Sequence, residues 1–265
     1  MGVDDVNQVR VIVTIERVVT RLMTSNFLRE NMIFSGGFVM IKTSESNRFT
    51  KDLDAIIKRV SNKKLNSEIE KALLKDLGDG FHFWGVENKI MDMKSGYNGV
   101  RYSFYYKVGE PPKDLNQSTR ERKIQLDVSI DFSLGRPPLN LELKSALDLY
   151  ESLSWSVYPQ EYIIADKLHA LISRSGTSTR DKDIYNLAIL LPKVKDMSGL
   201  MDAINFVFEK LDTDVPESLY SEVSTYNVRA LKTIWASKVN ISDGLLFEEA
   251  WEGVLEHLDR IDRSK

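Results

Sequence analysis

Asp52 and Asp54 stand one residue apart in an apolar run, Asp52–Ile57, that is typical of a β-strand. Side chains at positions i and i+2 of a strand point to the same side, so we expect both carboxylates on one face and Leu53 on the other. Two adjacent carboxylates repel each other, and this repulsion favours a divalent cation between them. The pair is either a magnesium site or two solvated carboxylates at a strand edge, and the Asp-x-Asp pattern alone favours the solvated alternative.

A glycine-rich turn precedes this pair. Ser35, Gly36 and Gly37 lie between a short apolar run expected to be a strand and a second apolar stretch expected to be a short helix. Such a turn presents backbone N–H groups and a helix N-terminus to an anion. A Gly-Gly pair alone is more often only a turn. Followed by the Asp-x-Asp pattern after fourteen intervening residues, however, it predicts a phosphate cradle beside a metal pair, as nucleoside triphosphate chemistry requires.

A third acid is expected from a neighbouring strand. Lys123–Phe132 alternates apolar and polar residues, with Asp127 and Asp131 on the same polar face. These two aspartates are four residues apart, or about 13 Å at the strand rise, so only one can reach the metals. We assign Asp127 to this role and interpret Asp131 as a solvated carboxylate at the strand end.

The first of these motifs resembles a known family. Phe34–Gly37 followed by Arg48–Asp54 is similar to the first motif of the AbiEii/AbiGii-type nucleotidyltransferase toxins, within the DNA polymerase β-like nucleotidyltransferase superfamily. There, a Gly-Ser or Gly-Gly turn precedes Asp-x-Asp, and an adjacent strand supplies a third Asp. The resemblance implies an NTP substrate and two Mg²⁺ ions. It implies metal binding by Asp52, Asp54 and Asp127, and nucleotide binding by Ser35, Gly36 and Gly37.

The second half of the chain contains segments that are similar to later motifs of the same family. Ala165–Arg174 contains Lys167 and Arg174, seven residues apart on one predicted helix and therefore on a shared face. A basic pair could hold a triphosphate and neutralise charge on the leaving pyrophosphate, although two solvated helix cations are the commoner outcome. The resemblance implies that Lys167 is catalytic and binds the nucleotide. Arg174 is a further candidate for nucleotide binding, and Arg180, at the start of the next predicted helix, is a candidate contact to phosphate or RNA.

Two aspartates near the start of the next predicted helix require separate interpretations. Ser178 and Asp181 fit a capping box, which gives Asp181 a sufficient structural role. Asp183 lies a turn further into the helix, where capping does not explain it. The family also has an acid at this position, and the resemblance implies that Asp183 orients Lys167 or contacts the nucleotide.

The amino-acid composition excludes several kinds of catalytic and metal site. The 265-residue chain has no cysteine and only three histidines, which are far apart in sequence. Disulfides, thiolate metal sites and a Cys nucleophile are therefore excluded, and any metal would be a hard cation on carboxylates, such as Mg²⁺. The net charge of −3 means that a nucleic-acid partner would have to bind a local basic patch.

The elements that must position these residues fall into two halves. Helical spacing of apolar residues predicts a helix over about residues 5–29, a second over 64–77, and four more near 181–191, 198–211, 216–239 and 246–262. Pro159 is expected to open a further helix. The middle of the chain is rich in strands. We therefore predict an α+β fold with a nucleotidyltransferase-type mixed sheet flanked by helices over 1–150, and an all-helical domain over 151–265 that completes the nucleotide site.

The resulting functional expectation is a Mg-dependent nucleotidyltransferase that transfers NMP from an NTP to an acceptor hydroxyl and releases pyrophosphate. The resemblance implies a toxin of a bacterial toxin–antitoxin (abortive-infection) system, a cognate antitoxin protein as partner, and the tRNA 3′ end as acceptor. Transfer to a small molecule or a protein side chain is the alternative within enzymes. A non-catalytic nucleotide- or partner-binding module is the alternative of another class. With neither a signal sequence nor a membrane span in the sequence, we expect a cytoplasmic protein.

Overall fold

The chain changes from a sheet-containing unit to a helical unit between Tyr158 and Pro159. The structure is a computed structural model, and it describes residues 6–44, 50–58, 60–92, 98–111, 122–131, 133–147, 150–174, 181–238 and 244–265. In this part of the chain, no helix is long and apolar enough to cross a membrane.

Two helices, α1 (Val6–Leu22) and α2 (Asn26–Asn31), replace the single helix predicted over residues 5–29. The prediction was wrong at this point because Ser25 starts a new helix. Its hydroxyl accepts a hydrogen bond from the backbone N–H of Leu28, which satisfies an otherwise unpaired donor in the first turn of α2. The apolar pattern continues through the break, so periodicity alone did not indicate it.

In the part of the first unit that the structure describes, a seven-stranded mixed sheet forms the centre. Its strands are β1 (Met32–Ser35), β2 (Asp52–Lys58), β3 (Phe81–Asp92), β4 (Asn98–Val108), β5 (Arg122–Asp131), β6 (Leu139–Leu143) and β7 (Leu153–Val157). Their spatial order is β3-β4-β5-β2-β1-β7-β6. The β2–β5 and β1–β7 pairs are parallel, and the other neighbours are antiparallel. The acid-bearing strands β2 and β5 are therefore direct neighbours in the interior of the sheet.

Two further helices belong to this unit, α3 (Gly36–Thr43) between β1 and β2, and α4 (Asn62–Leu73) after β2. Lys42 in the last turn of α3 pairs with the buried carboxylate of Glu16 in α1. That carboxylate also accepts hydrogen bonds from the Ser145 hydroxyl and the Ala146 N–H. This contact fixes the C-terminal end of α3 to α1, so the opposite end of α3 has a defined position beside the sheet.

The predicted helix over residues 64–77 ends earlier than expected, since α4 stops at Leu73. The buried guanidinium of Arg21 donates to the carbonyl of Lys75 and to both carboxylate oxygens of Asp79. These bonds hold the chain after α4 in a non-helical path that leads into β3.

Among the described residues, the second unit contains six α-helices and a short 3-10 helix (Leu191–Lys193). The α-helices are α5 (Gln160–Ile172), α6 (Asp181–Leu190), α7 (Met197–Lys210), α8 (Leu219–Ser224), α9 (Val228–Lys238) and α10 (Phe247–Asp262). Pro159 is the N-cap of α5, as the sequence predicts. The single helix predicted over 216–239 is instead α8 and α9. Asn227 separates them, because its side chain accepts a hydrogen bond from the N–H of Ala230 and begins a new helix.

The predicted fold class is confirmed, since a mixed sheet flanked by helices is followed by an all-helical part. The sequence analysis did not predict β6 or β7. Their five-residue lengths give only a short alternating pattern, and four of the five residues of β6 are exposed. A strand of this kind lacks the apolar face on which a prediction depends.

Candidate active site

Asp54 and Asp127 are neighbours across the parallel pair of β2 and β5. Asp52 pairs with Gln125 two positions earlier, so the three carboxylates belong to one face of two adjacent strands. The intervening residues Leu53 and Leu126 are fully buried on the opposite face. Burial of these leucines fixes the register, because a slip by one residue would bury the acids and expose the leucines.

The carboxylate of Asp54 lies against the backbone of Gly36, the first residue of α3. Gly36 has φ +71, and a Cβ built on it would lie 2.6 Å from the Cγ of Asp54. Any L-residue here would therefore be strained and would collide with the acid. Ser35, the residue paired with Asp54 on β1, is the N-cap of α3, and its side chain makes no capping hydrogen bond. The glycine turn thus brings the N-terminus of α3 into contact with a carboxylate.

Arg101 on β4 approaches the acids from the other side of β5. It pairs with Asp127 across the antiparallel β4–β5 pair, and its Nε and one terminal nitrogen donate to the two carboxylate oxygens at 2.7 and 2.6 Å. The pKa of Arg101 is raised, first by this hydrogen bonding to Asp127, against an opposing effect of burial, and further by the negative charges of Asp127, Asp52 and Asp54. Arg101 therefore lies within the electrostatic field of all three acids.

A divalent cation would require part of this arrangement to change. In the described ranges, three or more His, Cys, Asp or Glu side chains do not converge on a single metal position. The donor set nevertheless fits a hard cation, because the three aspartates offer only carboxylate oxygens. The contact between Asp54 and Gly36 also leaves the carboxylate beside a helix N-terminus, where a phosphate would bind.

Lys167 and Asp183, the second-half residues expected to act together, are paired in the structure. The Nζ of Lys167 on α5 is 3.5 Å from Oδ1 of Asp183 on α6. The Asp183 side chain is 5% exposed and that of Lys167 is 26% exposed, so a buried carboxylate holds an ammonium that still reaches solvent. Pairing of this kind limits the directions in which the ammonium can point.

Arg174 is placed differently from the prediction. It is exposed and lies two residues beyond Ile172, the last residue of α5, so it does not share a helix face with Lys167. Arg180 and Ser178 lie outside the described residues, as do the side chains of Asp131 and Asp181.

Comparison with family models matches residues 17–263 to the nucleotidyl transferase AbiEii toxin of type IV toxin–antitoxin systems. The chain belongs to the AbiEii family. The matched residues extend over both the sheet-containing and the helical unit. A search among curated proteins finds no match to the chain.

Two solved structures share the fold of this AbiEii protein. A candidate nucleotidyltransferase from Helicobacter pylori aligns with a TM-score of 0.57 at 16% sequence identity, over 98% of this chain and 96% of that chain. JHP933 from Helicobacter pylori aligns with a TM-score of 0.55 at 16% identity, over 97% and 93% of the two chains. At these identities the comparison supports a shared fold.

The sequence analysis of this AbiEii protein did not identify Arg101. The alternation of β4 carried a signal that could have found it, since Arg101, Ser103 and Tyr105 occupy one face, with buried residues between them. The missing information was the register between β4 and β5, which decides which acid this arginine meets.

Proposed function

We propose that this AbiEii protein is a Mg²⁺-dependent nucleotidyltransferase. The observation that carries the proposal is the position of Asp54, which is in register with Asp127 and in contact with Gly36 at the start of α3. A helix N-terminus attracts phosphate, yet here it already adjoins a carboxylate. Two anions at one place repel each other unless a cation lies between them, and carboxylate oxygens are preferred ligands of Mg²⁺.

In the proposed reaction, Asp52, Asp54 and Asp127 hold the metal, and the backbone of Ser35, Gly36 and Gly37 receives the triphosphate. Bound Mg²⁺ supplies Lewis-acid stabilisation of the phosphate charge. The acceptor hydroxyl oxygen forms a bond to the α-phosphorus and gives its proton to Asp127. The bond from the α-phosphorus to the bridging oxygen breaks, and pyrophosphate leaves with that electron pair.

Lys167 is proposed to bind the triphosphate and to stabilise the negative charge that develops on pyrophosphate. Its pairing with the buried carboxylate of Asp183 supports this role, because a tethered ammonium loses less freedom on binding than a solvated one. Asp183 is the orienting residue in this proposal. Arg174 and Arg180 are proposed as further nucleotide contacts. Arg174 is exposed, so its guanidinium is accessible to a phosphate in solution.

We further propose that the acceptor is the tRNA 3′ end and that a cognate antitoxin protein opposes the activity. The support is the family itself, which is described as the toxin of a type IV toxin–antitoxin system. A ribose hydroxyl at an RNA end is a suitable nucleophile for the reaction above. The overall negative charge of the chain requires that such an RNA bind locally rather than across the whole surface.

The test is incubation of the purified protein with each α-labelled NTP, Mg²⁺ and total cellular RNA. We expect label in the tRNA band and release of pyrophosphate. Asp52→Asn and Asp54→Asn should each reduce transfer at least about 100-fold, equivalent to about 2.7 kcal/mol in the barrier. Glu87→Gln is the matched control, since Glu87 is a carboxylate of the same sheet with a side chain that is 70% exposed.

Asp127→Asn should be far more damaging than Asp131→Asn in the same assay. Asp127 is in register with Asp54, whereas Asp131 is in register with Lys58, four residues further along. Equal losses would show that the third acid is wrongly assigned. Label in small molecules or in protein instead of RNA would identify another acceptor class, and undiminished transfer by Asp54→Asn would contradict the metal assignment.

A further inference from the structure

Arg101 brings a permanent positive charge into the group of acids. Its two bonds to Asp127 use both oxygens of that carboxylate, in the planar bidentate geometry that guanidinium groups form with carboxylates. The same charge interacts with Asp52 and Asp54. The negative charge of each of the three proposed metal ligands is therefore partly balanced by the positive charge of Arg101.

We propose that Arg101 is an internal counter-ion that holds Asp127 while no divalent cation is bound and gives up this carboxylate when one binds. The inference rests on the proposed function, since it takes Asp127 as a metal ligand. Both oxygens of Asp127 accept from Arg101, so a cation bound by this carboxylate would have to share its oxygens with a group of like charge. Arg101 thereby raises the cation concentration at which the site fills.

The exchange does not require the backbone to move. The Arg101 side chain is 43% exposed and that of Asp127 is 20% exposed, so the guanidinium can rotate towards solvent while β4 and β5 remain paired. A guanidinium released in this way stays on the face of the sheet that carries the three acids, where it can donate to the oxygens of a bound phosphate. Arg101 is thus a positioning residue whose partner depends on occupancy of the site.

The test measures Mn²⁺ binding to the full chain without nucleotide, by electron paramagnetic resonance of the free ion. Arg101→Gln should bind Mn²⁺ at least about fivefold more tightly than the wild type, because a like charge beside the cation has been removed. Lys107→Gln is the matched control, since it removes one positive charge from the same face of β4 at about 20 Å from Arg101, and it should leave the affinity unchanged. Equal or weaker binding by Arg101→Gln, or undetectable binding by both proteins, would overturn the inference.

Thermal melting provides a second readout. Each protein is compared with itself, with and without Mn²⁺, so a change in the intrinsic stability of the variant does not obscure the effect of the ion. The increase in melting temperature on adding Mn²⁺ should be larger for Arg101→Gln than for the wild type, since a ligand stabilises the folded state according to its affinity. Equal increases would also overturn the proposal. If Arg101→Gln binds Mn²⁺ more tightly than the wild type but the wild type transfers no nucleotide, the proposed function is refuted and the role of Arg101 stands. If the wild type transfers nucleotide but the two proteins bind Mn²⁺ equally well, only the role of Arg101 is refuted.

Discussion

At the scale of single residues, Asp54 and Gly36 constrain each other. The acid occupies space that a side chain at position 36 would need, and the backbone at that position has a φ of +71. Gly36 is therefore required for two separate reasons. Its backbone conformation is strained for any other residue, and a side chain at this position would displace the Asp54 carboxylate from the N-terminus of α3.

A pair of glycine substitutions can separate these two reasons. Gly36→Ala should reduce nucleotide transfer at least about tenfold, because the new Cβ displaces Asp54, and it should also cost about 1–3 kcal/mol of stability through backbone strain. Gly78→Ala has a similar strain, with φ +67, but its Cβ would meet nothing within 4 Å. This variant should lose stability and keep its activity. Full activity in Gly36→Ala would argue against a role for the contact.

The residues that could be predicted from sequence are those whose local pattern is informative. Asp52 and Asp54 lie on the same face because of strand alternation, which the sequence contains. The bond between Arg101 and Asp127 was not predictable, because β4 and β5 are separate stretches of sequence and their pairing register depends on tertiary structure. A one-residue change in that register would have moved this arginine to the other face.

At the scale of elements, the ion pair between Lys167 and Asp183 joins α5 and α6. Asp183→Asn keeps the size of the buried side chain but removes the charge that orients the ammonium. We expect at least about a tenfold loss of rate, or about 1.4 kcal/mol in the barrier. The melting temperature should fall only modestly, because the lysine it leaves unpaired is partly exposed.

Asp181→Ala is the comparison for this prediction. Asp181 is the first residue of α6. The sequence predicts that its carboxylate reaches back to the chain at Ser178 in a capping box, so its loss should lower the melting temperature by a few degrees and leave turnover largely intact. Rate and melting temperature should be measured for both variants. A loss of activity confined to Asp181→Ala would show that the functional acid lies two residues earlier than proposed.

Element boundaries were predicted less well than the elements themselves. The breaks between α1 and α2 and between α8 and α9 come from single capping side chains, Ser25 and Asn227, within stretches that keep their apolar pattern. The spacing of apolar residues shows which face of a helix is buried, but it does not show where one helix ends and the next begins. The exposed edge strand β6 was missed because it buries almost none of its residues.

At the scale of the whole molecule, a buried ion pair connects the first helix to the sheet. Arg21 is fully buried and donates to Asp79, just before β3, as well as to the carbonyl of Phe81. Burial by itself would raise the pKa of Asp79. The hydrogen bonds from Arg21 and from the N–H of Phe81, together with the charges of Arg21 and Arg17, outweigh burial and hold the pKa below its ordinary value of 3.8. The carboxylate therefore contributes stability above pH 3.8, and this contribution is lost as the pH falls through the lower pKa of the folded state.

Asp79→Asn tests this connection. At pH 7 the variant should be less stable than the wild type by about 3–5 kcal/mol, because Arg21 is left buried without its counter-charge. The difference should shrink in acid, as the wild-type carboxylate becomes protonated and loses the same interaction. Urea unfolding at pH 7 and at about pH 3 measures both values. A difference that stays constant over this range would contradict the assigned pairing.

The strand order has a consequence for when the three proposed metal ligands can assemble during synthesis of the chain. Asp52 and Asp54 leave the ribosome early, but their neighbour in the sheet is β5, which follows the whole β3–β4 hairpin in the chain. The parallel pairing of β2 with β5 closes a long loop, and such pairings form late in folding. A nascent chain that ends before Arg122 has no strand to carry the third acid or to bring Arg101 beside the first two. The three proposed metal ligands therefore cannot come together before β5 has been translated.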